Sequence, residues 1–376
     1  MREENKNLIS AISIIAGTCI GAGFLGIPYV TAKAGLLTTL IYILVFSIII
    51  LLVNLYLGEI ILRTKTNHQL AGYAEKYLGK RGKWIMLYST KFAIFAAIVA
   101  YTIGVGESIS MLLFGNINFF IIIGLFFGLF MSMIIWRRMH SLKIFEKAGV
   151  SISLALLLSI GIIFFNKINL VNLTYTNLNH ILLPFGVILF SMMSFVAIPE
   201  AKMALNKNKQ LLKKAIIIGT LLPALFYIIF TIIVVGFKGP QTPEIATFAL
   251  GGIFILMGII TMFTSYLALG TALEQTYIFD FKNSKKRAWF KASIIPIAIF
   301  LIVQIFKDFF SFIRVISIGG VVSGGLVAIL VLIIHKRATK LGDRKPEFSL
   351  PISNILIIIL SIIFASGIIL ELFKVY

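Results

Sequence analysis

Residues 17–28 read GTCIGAGFLGIP and lie inside the first membrane-length apolar segment of a 376-residue chain. Glycine and proline both weaken an α-helix, and an interior proline also removes one backbone hydrogen bond. Small residues four apart, such as Gly17 and Gly21, are common where membrane helices pack closely. The other interpretation is an unwound backbone, which survives at membrane depth only where protein or a water-filled cavity satisfies it. The rest of the chain decides between these two.

The composition indicates an all-α integral membrane protein. Hydrophobic residues make up 59% of the chain, charged residues 13%, and the mean hydropathy is +1.03. A span of the bilayer core needs about 20 apolar residues. The first apolar segment continues past Pro28 into another one, which predicts a retained helix rather than a cleaved signal peptide. On this basis we predict eleven transmembrane helices, at 8–33, 36–62, 84–114, 117–136, 148–166, 181–200, 214–237, 246–279, 290–306, 309–334 and 350–373.

The net charge of +20 is distributed unevenly over the loops. With the N-terminus inside, the cytoplasmic segments hold 27 of the 34 lysines and arginines. This excess is the positive-inside pattern of multi-pass membrane proteins, so it does not indicate nucleic-acid binding. We therefore predict a protein of the cell membrane with a cytoplasmic N-terminus and an external C-terminus.

The sixth predicted helix carries LFSMMSFVAIPEAK, in which residues 195–199 (FVAIP) repeat the pattern of residues 24–28 (FLGIP). Five spans separate the starts of helices 1 and 6, so the second copy enters from the opposite side of the membrane. Interrupted helices at corresponding places in two inverted halves indicate a secondary transporter. We predict one transporter domain over 1–376, with inverted repeats at 8–166 and 181–334 and an extra helix at 350–373.

Several segments resemble one superfamily of carriers. AGTCIGAGFLGIPYVTAKAG is similar to the first helix of the amino acid/auxin permease and aromatic amino acid permease families, and LPFGVILFSMMSFVAIPE resembles their sixth. The segments at 35–64 and 263–281 resemble their second and eighth helices. These families belong to the amino acid–polyamine–organocation (APC) superfamily. The resemblance implies the LeuT-type fold of five-plus-five inverted helices and secondary active transport of an amino acid, with symport expected.

The expected breaks suit a zwitterionic substrate. A break near Ile20–Gly23 exposes N–H groups that attract a carboxylate, and carbonyls freed there and near Phe190–Ser194 attract an ammonium group. The resemblance implies that the Ala22 and Gly23 amides bind the carboxylate. It also implies that Cys19, Phe190 and Ser191 bind the amine. Tyr101 flanks the substrate in this fold, although an aromatic residue at that depth is more often packing. The predicted substrate-binding residues are Cys19, Ile20, Gly21, Ala22, Gly23, Tyr101, Phe190, Ser191 and Ser194.

A hydroxyl pair in helix 8, Thr264 and Ser265, is the candidate for a coupling ion. In sodium-coupled relatives such a pair meets first-helix carbonyls, which here implies a Na⁺ site formed by Gly17, Ile20, Thr261, Thr264 and Ser265. The alternative is that these hydroxyls bond back to their own helix. Proton-coupled relatives place a helix 5 lysine there, but helix 5 has no lysine beyond Lys147. We therefore expect Na⁺ rather than a proton, and no other cofactor.

Catalytic functions have little support in the sequence. The four histidines lack metal-ligand spacing and there is no phosphate-binding GxxxxGK[ST] motif, so we predict no enzyme. The remaining alternative to transport is an amino-acid-sensing receptor on the same fold. The expected partners are a small-molecule amino acid and the lipid bilayer, while the sequence does not predict an oligomeric state. Four acidic residues near cytoplasmic helix ends are candidates for an inner gate: Glu59, Glu200, Glu274 and Asp280.

Overall fold

The computed structural model describes residues 2–137, 142–306 and 309–372, and almost all of them are helical. Ten helices are long and apolar enough to cross a membrane, and an interrupted pair at the N-terminus forms an eleventh span. The predicted number of spans is therefore confirmed. The predicted last residue of helix 11, at 373, lies outside the described residues. In chain order the helices are Arg2–Cys19 with Gly23–Ala34 (helix 1), Leu36–Arg63, Leu70–Phe114, Phe120–Arg137, Leu142–Phe164, Leu183–Met192 with Ala197–Ala204 (helix 6), Leu212–Lys238, Gly252–Gln275, Lys285–Ile305, Phe312–Leu341 and Asn354–Leu372.

Helix 3 differs most from its predicted bounds, since it begins at Leu70 instead of 84. Its first part is kinked from the rest at Gly79, whose φ of 76° is a left-handed value that favours glycine. Hydropathy averages miss this part because it is rich in lysine. Its apolar face, which includes Tyr73 and Tyr77, is nevertheless buried. Amphipathic burial of this kind stabilises a helix without a long apolar run.

Helix 1 lies at the centre of the molecule and packs against helices 5, 6, 7 and 8. Its residues Ile15, Phe24 and Leu25 are fully buried. Large apolar side chains are exposed on the outside instead, for example Phe126 of helix 4 and Ile162 of helix 5. Apolar exposure on this scale fits a lipid-facing surface. The arrangement places the interruption of helix 1 at the middle of the protein.

Candidate functional site

The interruption of helix 1 lies where the sequence predicts it. The helix stops at Cys19 and resumes at Gly23, and its two halves are bent by 48°. Within the break, the Gly21 N–H donates to the Cys19 carbonyl at 2.8 Å. The second half therefore begins with backbone N–H groups directed at the break, and its dipole adds partial positive charge there.

The glycines of this break also serve close packing. A Cβ atom on Gly23 would lie 2.7 Å from Cα of Ser191 in helix 6. One on Gly21 would lie 2.6 Å from the Tyr101 hydroxyl in helix 3. The two interpretations of the opening motif are thus compatible, because the backbone is unwound and is also in direct contact with its neighbours.

The interruption of helix 6 lies later than predicted. Its first half ends at Met192 and its second half begins at Ala197, so the break is Met193–Val196 rather than Phe190–Ser194. Phe190 and Ser191 lie in the last turn of the first half. Pro199 explains the shift, because it occupies the first turn of the second half, where its missing N–H costs no hydrogen bond. Pro28 lies deeper within its half-helix.

One side chain that the sequence analysis missed connects the two breaks. The hydroxyl of Tyr227 in helix 7 lies 2.7 Å from the Cys19 carbonyl and 2.8 Å from the Ser191 carbonyl. A phenol has one proton to donate, while each carbonyl oxygen has two lone pairs. The Ser191 carbonyl therefore keeps acceptor capacity towards a further donor. The Cys19 carbonyl also accepts from the Gly21 N–H, so it keeps such capacity only while the phenol proton is directed at Ser191. No motif identifies Tyr227, which lies within an apolar run.

A buried amide supports the break of helix 6. Asn54 Nδ2 in helix 2 donates to Ser194 Oγ at 3.0 Å and to Thr220 Oγ1 in helix 7 at 3.1 Å. All three residues are fully buried. The sequence does carry a signal for this network, since Asn54 is the single asparagine in helix 2. A strongly polar residue at membrane depth marks a functional or structural site.

The predicted ion ligands are brought together only in part. Ser265 Oγ donates to the Gly17 carbonyl at 2.9 Å and lies 3.5 Å from the Ile20 carbonyl. Thr264 Oγ1 instead donates to the Thr261 carbonyl of its own helix at 3.1 Å, as the alternative interpretation predicts. The converging oxygens are hard ligands, which suit a small cation. Thr264 needs a rotation of its side chain to join them.

A narrow cavity adjoins both breaks. Cys19, Gly23, Tyr101 and Phe190 are the predicted substrate residues that line it. The space open to the centre of a water molecule is about 40 Å³, which holds only a few waters. Among the described residues that line the cavity, none is charged, and Thr18, Thr90 and Tyr101 carry hydroxyls. The apolar residues of the lining are Leu70, Ala93, Ile94, Ala97, Phe190, Met193, Phe195, Val196, Leu269 and Val327.

The other predicted substrate residues lie behind this lining. Ile20, Gly21 and Ala22 form the break of helix 1 itself, and the Tyr101 hydroxyl is hydrogen-bonded to the Ala22 backbone. The Ser191 hydroxyl donates to the Val187 carbonyl of its own helix at 2.7 Å. Ser194 faces Asn54. These residues therefore offer backbone groups or support rather than side chains to the cavity.

Close contacts lie on both membrane sides of the helix breaks. On the membrane side that carries residues 2–7, here termed the N-terminal side, Asp280 Oδ2 accepts from the Gly72 N–H at 2.9 Å. Gln69 donates to Gln275 beside it at 3.1 Å. On the opposite side the second half of helix 1 packs tightly, and a Cβ on Gly26 would lie 2.6 Å from Cδ1 of Ile313. Opening either side requires these contacts to separate.

Glu59, another gate candidate, has different partners. Its carboxylate accepts from Arg63 at 2.8 Å and from the Leu350 N–H at 2.7 Å, and it lies 2.9 Å from His335 Nε2. It therefore holds the segment between helices 10 and 11 against helix 2.

The family model that matches this chain is described as the tryptophan/tyrosine permease family and covers residues 4–245. The chain belongs to the tryptophan/tyrosine permease family. This confirms the resemblance to aromatic amino acid permeases in the sequence analysis. It also places the chain among permeases rather than enzymes.

Two curated relatives share 25% identity with this permease. Glutamine transporter 2 of Aliivibrio fischeri (strain ATCC 700601 / ES114) aligns over 240 residues, which are 62% of this chain and 61% of the relative. Tyrosine-specific transport system 1 of Haemophilus influenzae (strain ATCC 51907 / DSM 11121 / KW20 / Rd) aligns over 228 residues, 60% of this chain and 56% of the relative. The matched region thus spans less than two thirds of either relative.

Solved transporters share the fold of this permease. MhsT in complex with L-phenylalanine superposes with a TM-score of 0.71 at 14% identity, over 98% of both chains. MHP1, a nucleobase-cation-symport-1 family transporter in a closed conformation with bromovinylhydantoin bound, gives 0.65 at 12% identity. That match covers 98% of this chain and 91% of MHP1. The LeuT-type fold is therefore confirmed, and the chain is a multi-pass membrane protein.

Proposed function

We propose that this permease is a secondary active transporter of neutral amino acids with large apolar or aromatic side chains. It works by alternating access across the cell membrane. The observation that carries the proposal is the meeting of two helix breaks, bridged by the Tyr227 hydroxyl, beside an apolar cavity. The names of the family and of both curated relatives support transport, and none of them supports the receptor alternative.

The two breaks suit the two charges of an amino acid. The N–H groups that begin the second half of helix 1, at Ala22 and Gly23, would face a carboxylate with the favourable end of the helix dipole, and the carboxylate would replace the Tyr101 hydroxyl as the partner of the Ala22 backbone. The Ser191 carbonyl retains acceptor capacity for an ammonium group, and the Cys19 carbonyl gains it when the Tyr227 proton is directed at Ser191. One molecule that carries both charges on neighbouring atoms bridges helices 1 and 6.

The cavity lining indicates the substrate side chain. An ionised side chain in this apolar surrounding would lack a counter-charge, at a cost of several kcal/mol. Ala93 and Ala97 of helix 3 contribute small apolar side chains to the lining that Tyr101 shares. The cavity is too narrow for such a group in this conformation, so substrate entry requires Phe190 or Met193 to move. A glutamine substrate is the second candidate, because the Thr18 and Thr90 hydroxyls, which donate to carbonyls of their own helices, can still accept from an amide N–H.

The charge asymmetry supports the orientation. The N-terminal side carries most of the lysines and arginines, so we assign it to the cytoplasm and the C-terminus to the outside. In this orientation the cavity extends from the breaks towards the cytoplasm, since Leu70 and Thr90 of helix 3 line it.

Sodium is the proposed coupling ion. The Gly17 and Ile20 carbonyls and the Ser265 hydroxyl would hold it. The hydroxyls of Thr261 and Thr264, which donate to the Gly258 and Thr261 carbonyls of their own helix, would complete the set after side-chain rotations. Bound there, it would supply positive charge between helices 1 and 8. A proton is the alternative and predicts uptake that depends on pH and not on sodium.

Uptake into proteoliposomes tests the proposal. The purified permease is supplied with labelled tyrosine, tryptophan, phenylalanine, glutamine and lysine under imposed Na⁺ or proton gradients. We expect gradient-driven accumulation of one or more of the three aromatic amino acids and none of lysine. Accumulation of lysine, or binding of an aromatic amino acid without accumulation under any gradient, would contradict it.

A further inference from the structure

A second cavity, separate from the helix breaks, lies at the N-terminal side of the membrane. Its volume is about 780 Å³, which lies in the range of ligand pockets. Four segments converge on it: the residues after helix 2, the last turn of helix 6, the loop that follows, and the segment after helix 10. Its charged lining residues are Lys65, Lys202, Lys207, Lys209, Arg344 and Glu347.

The charges that the described residues bring to this cavity are not balanced. Among these residues five cations face one carboxylate, and that carboxylate, Glu347, is already paired with Arg344 at 2.7 Å. Asp343 lies next along the chain but is paired with Lys76 and accepts from the Lys65 N–H. The Lys76 ammonium holds the pKa of Asp343 below its usual range, which keeps this ion pair formed at neutral pH. Neither carboxylate is therefore free to neutralise the remaining lysines.

Lys202 distinguishes the cavity from ordinary basic loops. Positive-inside residues normally extend into water, whereas Lys202 is only 7% exposed. Its ammonium group donates to the neutral Asn67 side chain. Burying an ammonium group is costly unless an opposite charge compensates it. The position of Lys202 at the end of helix 6 accounts for some of its stability through the helix dipole, but it does not explain the convergence of four other cations.

The loop after helix 6 is shaped so that its lysines reach the cavity. Asn206 has a φ of 52°, a left-handed value that is uncommon outside glycine but tolerated by asparagine. This residue reverses the chain just after the helix ends at Ala204. Lys207 and Lys209 consequently line the same cavity as Lys202, instead of continuing along the helix axis.

We propose that this cavity binds a phosphate-bearing anion at the membrane surface. Lysine ammonium groups and the Arg344 guanidinium form charge-assisted hydrogen bonds to phosphate oxygens. The ligand connects the ends of helices 2, 6 and 10 and thereby stabilises the conformation in which those ends are close. The phosphate comes either from an anionic lipid headgroup or from a soluble phosphate compound.

Thermal unfolding of the full-length permease tests this site and its source. One arm titrates inorganic pyrophosphate against protein in uncharged detergent at constant ionic strength. The other compares bilayers of phosphatidylcholine alone with bilayers that also contain phosphatidylglycerol. We expect a rise of about 3 °C or more in the unfolding midpoint in at least one arm. A rise only with pyrophosphate identifies a soluble ligand, and a rise only with phosphatidylglycerol identifies a lipid.

Variants show whether the effect arises in the cavity. Lys202→Gln removes the buried charge. The double variant Lys207→Gln with Lys209→Gln removes two charges nearer the surface, and we expect it to fold like the wild type. We expect each to weaken the apparent affinity at least about tenfold. Lys80→Gln with Arg81→Gln removes two exposed charges on the same membrane side and leaves the response intact. The proposal is overturned if neither ligand raises the wild-type midpoint, or if the cavity variants respond like the wild type.

Discussion

The two helix breaks differ in how they are made. The break of helix 1 is flanked by glycines, bends the helix by 48° and brings its backbone into direct contact with helices 3 and 6. The break of helix 6, Met193–Val196, contains no glycine, and its side chain Ser194 is held by Asn54 from helix 2. One interruption is therefore built into the local sequence, whereas the other depends on polar contacts from distant helices.

This difference has consequences for substitution. In helix 1 substitution is limited by space, because a Cβ added at Gly21, Gly23 or Gly26 meets a neighbouring atom closer than van der Waals contact allows. In helix 6 substitution is limited by hydrogen bonding, because polar groups that lose a partner at membrane depth need another one. Substitutions at helix 1 should therefore act more severely than removal of single hydrogen bonds around helix 6.

The largest expected effect is that of Gly23→Val. The added side chain collides with the Ser191 backbone and blocks the N–H groups proposed for the carboxylate, so we expect uptake to fall at least about 100-fold, which corresponds to about 3 kcal/mol. Gly21→Ala should be milder, because its Cβ meets side-chain atoms, the Tyr101 hydroxyl at 2.6 Å and Ser265 Oγ at 3.0 Å, and no backbone atom that close among the described residues. Gly161→Val in helix 5 is the matched control, since its Cβ position meets only Ile233 at 3.9 Å. Labelled uptake, with membrane insertion checked by surface labelling, measures all three; normal uptake by Gly23→Val would refute the site.

The next effect concerns the ion. Thr264→Ala with Ser265→Ala removes two oxygen ligands, so we expect the sodium dependence of amino acid binding to disappear while weak binding at the breaks remains. Because linkage is reciprocal, wild-type protein should bind substrate more tightly in NaCl than in choline chloride at equal ionic strength. Thr102→Ala, which removes a helix 3 hydroxyl bonded to its own helix, is the control. Identical wild-type curves in the two salts would reject sodium and leave the transport proposal intact.

Tyr227→Phe tests the bridge between the two breaks. It removes one hydroxyl, whose single proton serves the Cys19 or the Ser191 carbonyl, and this costs about 1–3 kcal/mol. We expect binding to weaken about tenfold with little loss of folded protein. Tyr266 is a buried tyrosine on helix 8, and Tyr266→Phe is the control for the removal of a buried phenolic hydroxyl. Equal effects of the two substitutions on binding would show that the bridge has no special role.

The smallest expected effect is at the polar support of helix 6. Asn54→Leu keeps the branched shape but leaves the Ser194 and Thr220 hydroxyls without their donor, so we expect a lower thermal midpoint and a reduction of uptake by about three- to fivefold. Thr220→Val removes one of the two contacts and should have a smaller effect. If Asn54→Leu had the unfolding midpoint and the uptake of the wild type, the local sequence of helix 6 would determine the break without the contact from helix 2.

The sequence predicts what depends on local composition. Apolar runs of membrane length give the eleven spans, and glycine locates the helix 1 break. The sequence does not predict the lysine-rich start of helix 3, because the burial of that segment depends on its neighbours. Nor does it predict the position of the helix 6 break relative to Pro199. Tyr227 was missed because one phenol in an apolar helix resembles ordinary packing. The superposition of 8–166 on 181–334 stays a prediction.

Competition binding tests the central claim, that one amino acid is held at both breaks through both of its charges. Labelled L-tyrosine bound to the purified permease is displaced by unlabelled L-tyrosine, by tyramine, which lacks the carboxylate, and by hydroxyphenylpropionate, which lacks the amine. Each analogue loses a charged hydrogen-bonding group worth about 1.5–3 kcal/mol, so we predict that each competes at least about tenfold more weakly than L-tyrosine. Displacement by either analogue at the same concentration as L-tyrosine would contradict the claim, because one of the two breaks would then contribute nothing to recognition.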